Sequence, residues 1–238
     1  MDLSSLRVKI FADGADLASI LRVAQNPLVK GFTTNPSLMR KAGVSDYTQF
    51  AHQLLDAITD RPISFEVFSD ELDEMEKQAR ILNSWADNIY VKIPVTNSRD
   101  ESTDSLVHKL SHEGVKLNIT ALTTADHVRT VSEALRGGAP SIVSVFAGRI
   151  ADTGVDPLPI MRESLAILED CPTAELLWAS CREVFNIFQA DAINCHIITV
   201  THDVLGSLSV VGKELTTYST VLIKVFYQDA QASGFMIT

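Results

Sequence analysis

Short β-branched runs alternate with longer amphipathic stretches along the whole of this chain, and that alternation restricts its fold more than any single residue does. Strands are predicted at 8–12 (VKIFA), 29–33 (VKGFT), 63–68 (ISFEVF), 88–93 (NIYVKI), 115–120 (VKLNIT), 141–146 (SIVSVF), 175–180 (ELLWAS) and 193–200 (INCHIITV). The clearest helical patterns between them span 70–86 and 123–138. In the first, Leu72, Met75, Ala79, Leu82 and Ala86 fall on one stripe, and acids crowd its start, where the helix dipole favours them. Gly137 and Gly138 predict the end of the second. Eight such units in 238 residues point to a closed (β/α)8 TIM barrel, an α/β fold, rather than an open sheet. A doubly wound sheet is the alternative, but it would normally carry a Gly-rich phosphate loop after an early strand, and none is present. No linker divides the chain. Residues 1–238 are therefore expected to form one barrel domain, with 213–238 as an added C-terminal helix and tail.

Polar residues recur near the strand ends at a fixed interval. Glu66, Lys92, Asn118 and Ser144 follow one another in 26-residue steps. If each step is one βα unit, the four side chains lie at one level of successive strands, on the upper face where barrels carry their active sites. The strand period of two then puts Thr120 on the side of Asn118, and Phe146 on the side of Ser144. Lys92 is the most pointed of these residues, an amine inside the apolar run NIYVKIPV. A lysine there either reaches solvent at the strand end or is held and paired in the interior. In its neutral form such an amine attacks carbonyls.

Composition excludes several other functions. The net charge of −10 argues against nucleic-acid binding, which needs a basic surface, but leaves room for a small phosphorylated ligand held by a few cations. No apolar run is long enough to span a bilayer, and MDLSSLRVKI lacks a signal-peptide layout. Cys171, Cys181 and Cys195 are an odd number without a CxxC pair, as in a reduced compartment. A cytoplasmic protein without membrane or nucleic-acid partners is expected. His108 and His112 share a helical face but have no third ligand and are flanked by Lys109 and Glu113, so a solvated surface is expected there and no metal site.

Two further segments complete a chemical set. Asp13 ends the first strand in IFADGAD, and FTTNPS follows the second strand with Thr33, Thr34, Asn35 and Pro36. TTNP by itself reads as a turn and helix start, with Ser37 available as a cap. Taken together, the strand ends supply two carboxylates, an amine, amides and hydroxyls on one barrel rim, which is what a class I aldol reaction requires.

With these residues the chain resembles the transaldolase family, which includes the small fructose-6-phosphate aldolases. The resemblance runs from Ile10 to about Arg182, with a weaker echo in the C-terminal helix, and rests on FTTNPS, VKIPVT, SVFAGRI and ASCR. It implies that Lys92 forms a Schiff base, that Asp13 is the acid/base, and that Glu66 and Thr120 hold a proton-relaying water. It further implies that Asn35, Asn118 and Ser144 bind the hydroxyls of a dihydroxyacetone unit, with Thr33 and Phe146 also in the substrate site. Arg149, Ser180 and Arg182 match phosphate-binding positions, and guanidinium forks suit a phosphate dianion. Their alternative is pairing with nearby acids such as Asp152 and Glu183.

Glu66 and Phe146 look like the transaldolase pattern, whereas fructose-6-phosphate aldolases typically have Gln and Tyr there and lack equivalents of Asn118 and Ser144. The short chain, by contrast, resembles the aldolase-sized members. DGAD, SVF and Cys181 depart from common family patterns. The expected activity is transfer of dihydroxyacetone between sugar phosphates without metal or organic cofactor. The alternatives are an aldolase releasing free dihydroxyacetone, or a barrel that binds phosphosugars without turnover. Val221, Leu222, Val225 and Phe226 form an apolar stripe in the C-terminal stretch, with Tyr218 and Phe235 near its ends. Such a helix needs a groove to cover it, and the family's small members imply a homo-oligomer, a pentamer or decamer.

Overall fold

A computed structural model of the protein describes residues 3–237. Its strands are β1 (Lys9–Asp13), β2 (Val29–Thr33), β3 (Ile63–Glu66), β4 (Ile89–Pro94), β5 (Leu117–Leu122), β6 (Ser141–Val145), β7 (Ala174–Trp178) and β8 (Ile197–Thr201). All are parallel, each beside its neighbour in sequence, and β8 pairs back onto β1 to close the barrel. The helices in chain order are α1 (Leu17–Val23), α2 (Pro36–Lys41), α3 (Tyr47–Ala57), α4 (Leu72–Asn83), α5 (Asp104–His112) and α6 (Ala125–Leu135). They continue with α7 (Ala147–Asp152), α8 (Leu158–Leu168), α9 (Phe185–Ala192), α10 (His202–Ser207) and α11 (Leu215–Ser233). The protein is a TIM barrel with an additional C-terminal helix.

Two apolar cores follow from the strand period of two. The larger lies between strands and helices; from α4 it takes Met75, Ala79 and Leu82, the middle of the predicted stripe. The smaller joins Phe11 of β1, Ile142 of β6, Leu177 of β7 and Ile197 of β8. Strands β1 and β6 are not neighbours, so this cluster spans the barrel interior and forms a floor beneath the upper rim. Gly31 of β2 makes room for it, because a Cβ there would lie 2.6 Å from the Phe11 ring.

Most strand boundaries differ from the pattern by one or two residues, and two of the differences have a clear cause. The predicted strand 193–200 begins only at Ile197, because Ile193 and Asn194 finish the preceding helix and Asn194 adopts φ +62°. Strand 63–68 stops at Glu66, leaving Phe68 exposed beyond it.

Helix starts are built locally. Asp16 caps α1 through Ser19 N at 2.8 Å. Asn35 caps α2 by accepting from Leu38 N at 3.0 Å, with Pro36 in the first turn. The α2 cap is thus Asn35 rather than Ser37. Glu214 caps α11, accepting from the backbone N–H groups of Thr216 and Thr217, which hold its carboxyl down at about 2. None of the α11 residues is buried, and Phe226 is 70% exposed. Among the described residues no helix is long and apolar enough to cross a membrane.

Candidate active site

The upper ends of the strands open into a cavity of about 370 Å³. Asp13, Thr33, Asn35, Glu66, Lys92, Thr120, Ser144, Phe146, Arg149 and Ser180 line it. Of the residues that the resemblance assigned to the site, Asn118 and Arg182 alone stand outside that lining. Asn118 lies just beneath: its Nδ2 donates to Ser64 Oγ at 2.9 Å, and its Oδ1 accepts from Ser144 Oγ at 2.7 Å.

Lys92 is held in the interior. It is only 8% exposed, which excludes a strand-end lysine reaching solvent. Its Nζ donates to the Thr34 carbonyl at 3.1 Å and lies 3.3 Å from Glu66 Oε2. Register sets this up, since Glu66, Lys92 and Asn118 are direct partners across β3, β4 and β5.

The 26-residue interval does not carry the same register into β6. Asn118 pairs with Ile142, so Ser144 stands two residues further up its own strand. The two side chains still meet, because strands in a closed barrel tilt and stagger.

Asp13 is half-buried at the end of β1, and its Oδ1 accepts from Thr33 Oγ1 at 2.8 Å. Burial raises its pKa above the usual carboxylate value, while the Lys92 ammonium, the Thr33 hydrogen bond and His202 pull the other way. Thr120 Oγ1 is buried without a hydrogen-bond partner at the lip of the same cavity. Next along β5, Ala121 adopts φ +66° where the β5–β6 register breaks, a bulge of the kind found beside active sites.

The β6 and β7 rims are locked together. Gly148 N donates to the Ala179 carbonyl at 3.2 Å, and a Cβ on Gly148 would fall 1.7 Å from the Ser180 carbonyl oxygen. Only glycine permits that approach. Ser180 itself takes φ +61°, which turns the chain as it lines the cavity. Arg182 forks onto Asp152, with Nε on Oδ1 at 3.0 Å and Nη2 on Oδ2, and Arg149 reaches the same carboxylate at 3.7 Å. The pairing with Asp152 therefore forms, and both guanidiniums gather around one anion beside the cavity.

Thr199, Ser37, Leu177 and Ala179 also line the cavity, and Ser64 supports it from below, although the sequence marked none of them for the site. Ser37 was visible as a possible cap. Thr199 and Ser64 are small hydroxyls inside apolar strands, without charge or spacing to mark them. Among the described residues no group of three or more His, Cys, Asp or Glu side chains comes together as a metal site would require.

The barrel is similar to solved structures of distant sequence. Mandelate oxidase with benzoyl-formic acid matches with TM-score 0.56 and 14% identity, over 84% of this chain and 69% of that one. The 3-keto-L-gulonate-6-phosphate decarboxylase of Vibrio cholerae matches with TM-score 0.55 and 14% identity, over 82% and 88%. These likenesses are of fold alone. Sequence relatives are much nearer. A probable transaldolase of a Thermoanaerobacter species is 34% identical over 231 residues, covering 97% of this chain and all of the relative. Probable transaldolase 2 of Listeria monocytogenes is 34% identical over 194 residues, covering 81% of this chain and 84% of the relative. The model of the transaldolase/fructose-6-phosphate aldolase family matches residues 10–234, and the chain belongs to that family.

Proposed function

We propose that this protein is a transaldolase that carries a dihydroxyacetone unit from a ketose phosphate to an aldose phosphate as a Schiff base on Lys92. The observation that carries this reading is the buried Lys92 amine, held between the Glu66 carboxylate and the Thr34 carbonyl in a cavity that Asp13 also lines. The Lys92 amine attacks the ketone of a donor such as fructose 6-phosphate or sedoheptulose 7-phosphate and, with loss of water, forms an iminium. Glu66 and the unpartnered Thr120 hydroxyl suit a water that relays protons in that step. The Asp13 carboxylate takes the C4 hydroxyl proton as C3–C4 breaks, the electron pair passes into the iminium, and an aldose phosphate leaves. The resulting enamine attacks an acceptor aldehyde, and the steps reverse. Because the iminium is the electron sink, the reaction requires neither a metal nor an organic cofactor.

Asn35 keeps its side-chain amide at the cavity wall, while the Ser144–Asn118–Ser64 chain fixes which polar atoms face a three-carbon unit. The phosphate is received by Arg149, Ser180 and Arg182, a reading supported by the two guanidiniums that gather on Asp152 beside the cavity. The three buried free thiols fit a cytoplasmic protein.

The test is a comparison of two products from fructose 6-phosphate, with and without erythrose 4-phosphate. A transferase must keep its enamine until an acceptor arrives, and Phe146 places no phenol near the site to position a hydrolytic water. Exchange is expected to outpace release of free dihydroxyacetone by a wide margin, and Phe146→Tyr to shift the ratio towards release. Dihydroxyacetone accumulating just as fast without acceptor would make the protein an aldolase. Binding without either product would make it a non-catalytic barrel.

A further inference from the structure

We propose that Thr199, on β8, is a positioning residue for Asp13 and acts on it through Thr33. Thr33 Oγ1 lies 2.8 Å from Asp13 Oδ1 and 2.6 Å from Thr199 Oγ1. A hydroxyl carries one proton. While Asp13 is ionised it can only accept, so the Thr33 proton points at Asp13. In the second bond Thr33 must then be the acceptor and Thr199 the donor. The direction Thr199 to Thr33 to Asp13 is fixed by counting protons.

The three residues come from three adjacent strands, with β1 between β2 and β8. Asp13 is the register partner of Thr33, whereas Thr199 is the partner of Phe11, one inward-facing layer lower. Thr33 and Thr199 are both buried. A buried hydroxyl that gives its proton away still has lone pairs to satisfy, and Thr199 satisfies one of them. Two aligned hydroxyl dipoles in a low-dielectric site reinforce each other at the carboxylate. This chain opposes the burial that disfavours ionised Asp13, and so helps to keep the base ready to take a proton. The charged groups facing Asp13 are Lys92 on β4, Glu66 on β3 and His202 at the start of α10, and changing Thr199 alters none of them.

The inference rests on Asp13 acting as the base in a reaction that begins on Lys92. It is tested by following fructose 6-phosphate cleavage against pH in the wild type, Thr199→Val, Thr199→Ser, Thr33→Val and the double valine variant. Weakening a donor to a carboxylate raises its pKa, so the acid limb for Thr199→Val should move up. A shift of roughly half to one pH unit is expected, which is about a three- to tenfold lower rate on the acid side of the limb. KM and borohydride capture at Lys92 should stay close to wild type, Thr199→Ser should recover the wild-type limb, and the double variant should be no worse than Thr33→Val alone. Should the valine variant not fold, Thr199→Ala gives the same comparison. An unmoved acid limb, a serine variant as impaired as the valine one, or losses that multiply in the double variant would overturn the assignment. A wild type that forms no Lys92 adduct is a different failure, since it removes the reading on which the assignment rests.

Discussion

At the scale of single residues, the site sets ionisable side chains into the mouth of the barrel, where burial opposes charge. Asp13 shows this most clearly. Its folded pKa lies above the usual carboxylate value, chiefly because burial disfavours the charged form. For a carboxyl shifted in this direction, the folded state binds the proton more tightly than the unfolded chain does. Its stability contribution is therefore full below the unfolded pKa and is lost as pH rises through the folded value. At neutral pH the ionised form is a cost to the fold. Asp13→Asn is accordingly expected to unfold at the same temperature as the wild type or higher, while turnover falls by about 10²- to 10⁴-fold. Thermal unfolding and a steady-state assay on one preparation check both parts, and a variant that loses activity only because it unfolds would contradict them. The charged members of the site were legible in the sequence because a lysine or an acid at the end of an apolar strand needs a reason to be there. Thr199 and Ser64 were not legible, since a hydroxyl in a β-strand is as much at home in a plain core as in a hydrogen-bonded relay.

At the scale of elements, the alternation of strands and helices was legible and the stagger between strands was not. The 26-residue interval matched true register from Glu66 through Lys92 to Asn118, then slipped by two residues at Ser144. Sequence spacing counts residues along the chain, whereas register also depends on the tilt and stagger of neighbouring strands; Asn118 already faces Ile142 before the bulge at Ala121 is reached. The boundary of β8 was misplaced for a related reason, because an apolar helix end and an apolar strand start read as one run from 193 to 200. The tightest joint between elements lies where α7 begins against the end of β7. Gly148→Ala would drive a methyl into the Ser180 carbonyl, and backbone cannot rotate away as a side-chain tip can. It is expected to destabilise the protein by about 1–3 kcal/mol. It should also raise KM for phosphorylated donors more than for unphosphorylated ones, because Ser180 and the neighbouring Arg149 both move. Chemical denaturation and a paired KM measurement test this, and an unchanged Gly148→Ala enzyme would show that the joint is looser than its geometry.

At the scale of the whole molecule, barrel closure was legible from eight repeated units, each with an apolar strand to bury. The role of the last helix was legible only as a question. In the structure α11 leaves Val221, Leu222, Val225 and Phe226 largely exposed, and the tail beyond it adds Phe235 and Met236. We propose that a second copy of the chain covers this surface in a homo-oligomer, a pentamer or decamer. Light scattering at micromolar protein should show an oligomer, and removal of residues 213–238 should reduce it to a monomer. A full-length monomer would contradict this. A Schiff-base transaldolase of this kind would carry its substrate fragment covalently on one amine. Intact protein treated with fructose 6-phosphate and borohydride should gain a single reduced dihydroxyacetone unit, mapped by peptide analysis to Lys92 and absent from Lys92→Met. An adduct on Lys30 or Lys116, or no adduct on any lysine, would contradict the account.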